Sequence, residues 1–140
     1  MFRHSWRIME KACQENKKPL GMSMGQFLSL AMQFCIQLQN HHDAEERRFF
    51  PMLAKNMPMF KKEAEMPSQH KQIHKGLLRL KAYVEDCKDG EQDFLFLELK
   101  QIMDSFGQVL WQHLDEEVQN LGAENMRKYW TLRELERIPM

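Results

Sequence analysis

Three segments that carry side-chain pairs at i, i+4 spacing constrain this chain more than any other feature. His41-His42-Asp43-Ala44-Glu45-Glu46 places a histidine four residues before a glutamate twice over. His70-Lys71-Gln72-Ile73-His74 repeats the spacing with two imidazoles, and His113-Leu114-Asp115-Glu116-Glu117 repeats it with an imidazole and a carboxylate. On a helix, residues i and i+4 lie one turn apart on one face. An imidazole and a carboxylate held that way can grip one metal ion, or two adjacent ones. The pairs therefore call for a helical scaffold that brings three segments, and with them His4, to one point.

The apolar pattern supplies that scaffold. Residues 2–16 carry Phe2, Ile8, Met9 and Ala12 among charges and predict a first amphipathic helix, ended by Asn16-Lys17-Lys18-Pro19 and Gly21. Ser23 caps a second helix reaching about Phe50. Its seam of Phe27, Leu28, Ala31, Phe34, Cys35 and Leu38 keeps the 3.6-residue period and continues into the His/Glu pairs and Phe49. Pro51 is expected to kink or stop it. Residues 52–67, with Pro58 and Pro67, predict a helical turn and a loop. Ser68 is a plausible N-cap for a third helix carrying His70, Ile73, His74, Leu77, Leu80 and Val84, which ends at Asp86-Cys87-Lys88-Asp89-Gly90. A fourth helix over 93–121 runs Leu99, Ile102, Phe106, Val109 and Leu110 into His113, with Gly122 as its C-cap. Thr131-Leu132-Arg133-Glu134 is a capping box opening a short last helix. No two-residue period is present. The fold class expected is all-α, an up-down-up-down four-helix bundle with a short extra C-terminal helix, in a single domain over 1–140.

Charge and cysteine content narrow the setting. Lys+Arg and Asp+Glu both number 20, so no basic footprint for nucleic acid is present. The longest mostly apolar stretch, Phe27 to Ile36, falls far short of the ~20 residues of a membrane span. Cys13, Cys35 and Cys87 are odd in number and far apart, and the start of the chain shows no apolar signal region. These features predict reduced thiols and a cytoplasmic protein. Nothing in the pattern sets an oligomeric state.

The chemistry lies in the histidines. There are six, and each of the four long helices carries at least one. Bundles build metal sites in their cores from facing helices. An imidazole–carboxylate set suits iron, zinc, manganese or copper, and the lack of thiolates argues against structural zinc. Five imidazoles (His4, one of His41/His42, His70, His74 and His113) with two bridging carboxylates (Glu117 and one of Glu45/Glu46) exceed the needs of one tetrahedral ion. With a solvent-derived oxo or hydroxo bridge they nearly fill two octahedral ions, leaving one position open for a small ligand such as O2. The two pairs of the second helix lie ~100° apart around it. Both faces are apolar, so periodicity does not choose between them. Asp115, Glu116 and Glu46 read as solvated neighbours or as partners for an imidazole N–H. Trp6, Trp111 and Trp130 read as packing residues. The Asp86–Gly90 loop fails the calcium-loop spacing. The Glu-x-x-His of ferritin-like di-iron proteins is absent.

The order of these motifs resembles the hemerythrin-like family, the HHE cation-binding domain. Its pattern is an early histidine, then H-x-x-x-E before a Phe-Pro, then H-x-x-x-H, then a final H-x-x-x-E or H-x-x-x-x-D. Here those are His4, His41 to Glu45 before Phe50-Pro51, His70 to His74, and His113 to Glu117, over roughly residues 2–121. The Glu-to-Phe-Pro spacing selects His41/Glu45 over His42/Glu46. The resemblance implies a bundle with two non-haem iron ions, oxo- or hydroxo-bridged. His70, His74 and His113 would hold one iron, His4 and His41 the other, and Glu45 and Glu117 would bridge. It implies binding of O2 or another small diatomic or peroxide ligand, for storage or sensing, or iron handling. Val118 stands where oxygen carriers of the family have aspartate, so the carboxylate comes from Glu117; this shifts weight from a dedicated carrier towards sensing or iron handling. The alternatives are a di-iron redox enzyme acting on peroxide or nitric oxide, and a metal-stabilised helical interaction module.

Overall fold

Every regular element in the computed structural model, which describes residues 2–62 and 64–138, is helical. The long helices are α1 (Phe2–Glu15), α2 (Met24–Ala44), α4 (Glu65–Lys88) and α5 (Phe96–Asn120); α3 (Phe50–Leu53), α6 (Ala123–Met126) and α7 (Leu132–Glu136) are short. The all-α expectation holds. No helix among the described residues is long and apolar enough to cross a membrane.

Local chemistry sets most of the ends. Ser23 Oγ accepts from the Gln26 N–H at 3.0 Å while Gln26 Oε1 accepts from the Ser23 N–H at 2.8 Å, a reciprocal cap that starts α2. Thr131 and Glu134 do the same for α7. The α1 terminus turns on Asn16 at φ 53°, with the Lys17 N–H reaching the Ala12 carbonyl. The α4 terminus turns on Gly90 at φ 77°, with the Glu91 N–H reaching the Asp86 carbonyl. Both are left-handed terminations that satisfy otherwise bare carbonyls.

Three expectations are corrected. Ser68 is not the cap of α4: the helix begins at Glu65, and the Ser68 N–H donates to the Ala64 carbonyl at 3.2 Å. Pro67 sits in the first turn, where a missing N–H costs nothing. Gly122 does not close α5 in a left-handed turn. It has φ −65° and stands as the N-cap of α6. Pro51 does not stop α2; the backbone widens instead into a π-helical turn, Glu45–Phe49, before continuing as α3. A proline ring in a regular helix collides with the carbonyl four residues back, and a wider turn relieves that collision.

The chain divides into two compact units, Met1–His41 with His74–Gly107, and His42–Ile73 with Gln108–Met140. In the first unit, the Trp6 ring packs against Phe34 and Phe106 with centroids 5.6 and 5.4 Å away. Phe27, fully buried, meets Phe94 and Phe96 edge-on. Tyr83 Oη donates to the Leu95 carbonyl and accepts from the Leu95 N–H, fixing the chain as it enters α5. In the second unit, Phe50, Leu53, Met57, Phe60, Met66 and Met126 form a buried cluster, edged by Leu121, Tyr129 and Trp130. Burial of each such side chain contributes about 1.5–3 kcal/mol.

Gly76 marks the tightest approach in the first unit. A Cβ there would stand 2.3 Å from Phe106 Cγ and Cδ1. Gly76→Ala is therefore expected to destabilise the protein by about 1–3 kcal/mol through overpacking, despite alanine's better helix propensity. Chemical denaturation measures the difference; a variant as stable as the parent would refute the close packing.

Candidate metal centre

Within the second unit, one point collects four buried donors. His42 on the last turn of α2, Glu45 at the start of the π-turn, His70 on α4 and His113 on α5 offer ligand atoms that all lie within 4.8 Å of one another. The backbone explains part of this. The Phe50 N–H reaches back five residues to the Glu45 carbonyl. The extra residue in that turn rotates the residues after it by ~100°. Phe50 rather than Phe49 therefore takes the buried position, and its ring stacks on His70 with centroids 5.0 Å apart. The expected seam through Phe49 is corrected by that shift.

The imidazoles are oriented by their outer nitrogens. Gln69 Nε2 donates to Glu116 Oε2 at 2.8 Å, which turns the amide so that Gln69 Oε1 faces His113 Nδ1 at 2.7 Å. His70 Nδ1 faces Glu46 Oε1 at 3.1 Å. Amide oxygen and carboxylate only accept, so both Nδ1 atoms carry the proton. Both Nε2 atoms then present lone pairs, and these face each other at 2.9 Å. Glu117 Oε2 lies 3.0 Å from His113 Nε2, and Glu45 Oε1 lies 3.4 Å from His70 Nε2. The His42 ring stacks on His70, centroids 3.9 Å apart and 14° from parallel. Two lone pairs opposed in a buried pocket, with carboxylates beside them, call for a cation. Two nitrogens bound to one ion at right angles, each bond about 2.0–2.1 Å, stand about 3 Å apart. The donor set fits a metal ion.

The predicted ligands divide between the two units. Glu45, His70, His113 and Glu117 come together in the second, and all are buried. Val118 is 74% exposed while Glu117 is 9% exposed, so the helix presents the carboxylate of 117, not the side chain of 118, to the interior. His4, His41 and His74 belong to the first unit. His4 is exposed on α1. His41 is partly exposed, its ring 5.5 Å from that of Phe2. His74 is exposed, with Nδ1 2.9 Å from Gln39 Oε1. The second helix histidine in the buried cluster is His42, and Glu46 buttresses His70 from outside.

Gln69 is a functional residue that sequence pattern does not reveal. It is buried and orients His113, yet a glutamine beside a histidine gives no signal until the fold brings α5 against it. The Gln112 and Gln69 amides hold the Glu116 carboxyl below the usual carboxylate range. The thiols stand apart from this chemistry: burial pushes Cys13 up to about 11 and Cys35 up to about 12.

Comparison with known proteins agrees with the site. Residues 7–123 match the family model described as the hemerythrin HHE cation binding domain. The dimeric xanthone biosynthesis cluster protein R11 of Cryptosporiopsis sp. (strain 8999) is 30% identical over 105 residues, which cover 71% of this chain and 39% of that protein. The chain thus spans well under half of that relative's length. No solved structure matches significantly.

Removing a donor and removing its support should differ in size. His113→Ala is expected to weaken metal binding by more than about 100-fold, and Gln69→Leu by about 10–100-fold, since orienting partners typically contribute that much. Titration with cobalt(II) or iron(II) measures both; Gln69→Leu binding like the parent would remove the orienting role.

Proposed function

Because the chain belongs to the hemerythrin HHE cation-binding domain family, we propose that it is a non-haem iron protein that binds O2 or a related small ligand for storage or sensing, or handles iron. The observation that carries this reading is the opposition of His70 Nε2 and His113 Nε2 at 2.9 Å with both Nδ1 atoms engaged outward. His70 and His113 would donate nitrogen, and Glu45 and Glu117 would offset the charge of the metal. Phe50, stacked on His70, would keep one side of the centre dry. Bound iron would supply an open coordination position for the small ligand.

The seven donors named from the resemblance (His4, His41, Glu45, His70, His74, His113 and Glu117) support two ions per chain, within an up-down-up-down bundle. His42, buried in the cluster, is a further candidate donor from the second helix. A di-iron redox enzyme is the second reading. It rests on the same donor set, with an accessible open position and an electron source.

Metal analysis of protein from iron-rich cells, with visible spectra under argon and under air, tests the proposal. About two irons per chain and an oxygen-dependent band are expected. Iron-loaded protein with no spectral response to O2 or nitric oxide would overturn small-ligand binding. Steady-state peroxide turnover well above that of free iron would favour the enzyme.

A further inference from the structure

A cleft of about 420 Å³ opens in the second unit, on the outer side of Glu46 and Phe50. Its volume falls in the range of small-molecule sites. Pro51, Ala54 and Pro67 line it with accessible apolar surface over the buried rings of Phe50 and Phe60, and the exposed Lys62 and Lys71 lie in its lining. No ion pair joins either lysine to another group among the described residues. Among the described residues Glu46 is the one acidic side chain in the lining, and it is already turned to His70 Nδ1 at 3.1 Å. The described lining thus sets two ammonium groups against one carboxylate that is already engaged.

We propose that this cleft binds a small organic anion with a flat apolar body, such as an aromatic carboxylate, and that its occupancy is felt at the metal centre. The prolines and Ala54, above the buried rings, would take the body, and the two ammonium groups the carboxylate. Two of the lining residues face the cluster as well. Phe50 stacks on His70, and Glu46 accepts from its Nδ1–H. An occupant pressing on either alters the seating of that imidazole. Binding itself does not depend on the iron reading; the coupling does.

The probe is 2-naphthoate, titrated by calorimetry into the full chain, metal-free and cobalt(II)-loaded. Binding is expected in both forms, at least tenfold weaker in Lys62→Glu/Lys71→Glu, and at least tenfold weaker for the neutral 2-naphthamide. Ala54→Trp, which fills the cleft from its lining, should abolish binding while circular dichroism shows the helices intact. Naphthoate should also shift the visible spectrum of the cobalt form, and Glu46→Gln should diminish that shift. Absent naphthoate binding, or equal binding by the charge-reversed protein, would overturn the site. An unmoved cobalt spectrum at saturation would overturn the coupling. A concentration-dependent dimer in sedimentation, dissociated by Ala54→Trp, would assign the cleft to a second copy of the chain and overturn the small-anion proposal. Failure of cobalt to bind would count against the metal centre alone and leave the metal-free titration to decide the cleft.

Discussion

Two imidazole nitrogens facing each other at 2.9 Å inside an apolar unit form the contact on which the rest of the second unit depends. Neutral imidazoles meeting through their lone pairs repel, and that repulsion costs free energy. A proton or a metal ion removes that cost. The protein holds the opposition from behind, with an amide on one histidine and a carboxylate on the other, so neither ring turns to escape it. Whatever cation binds there stabilises the folded chain by mass action. Metal occupancy and stability of this unit are therefore linked.

The π-turn serves that contact. A regular helix through Pro51 would have to break or bend, and Glu45 and Phe50 would not share the inner face. One extra residue in the turn absorbs the proline and brings Phe50 under His70 while Glu45 stays buried beside it. The proline thus acts less as a terminator than as the reason for the register of the residues around it. Phe50 then belongs to two structures at once, the Met- and Phe-rich cluster and the wall of the metal pocket.

This divides the features legible in the sequence from those that were not. The long helices, the reciprocal caps at Ser23 and Thr131, the core seam from Phe27 to Leu38 and that from Leu99 to Leu110 follow from period and capping chemistry, which are local. The burial of His70, His113 and Glu117 follows too, because each sits on the apolar stripe of its own helix. The choice between His41 and His42 was beyond periodicity, since the two sit on adjoining apolar faces. Gln69 was beyond any local rule: its role exists only because α5 places His113 opposite it. Ser68 and Gly122 show the limit of cap chemistry, because a serine or glycine one turn from a true boundary carries the same local signal.

The two supports of the paired histidines are unequal, and the inequality has a chemical direction. A carboxylate accepting from Nδ1–H raises the electron density of the ring and strengthens its Nε2 as a donor; a neutral amide does so less. His70, backed by Glu46, is therefore the stronger donor, and His113, backed by Gln69, the weaker. The stronger donor also has the more accessible support: the Glu46 side chain is half exposed, whereas Gln69 is buried and tied through Glu116 to Gln112. Solvent thus reaches the support of His70 more readily than that of His113. The fold has placed one histidine where it is fixed and the other where it is tunable. The better donor of the two nitrogens is thus the one whose support solvent reaches.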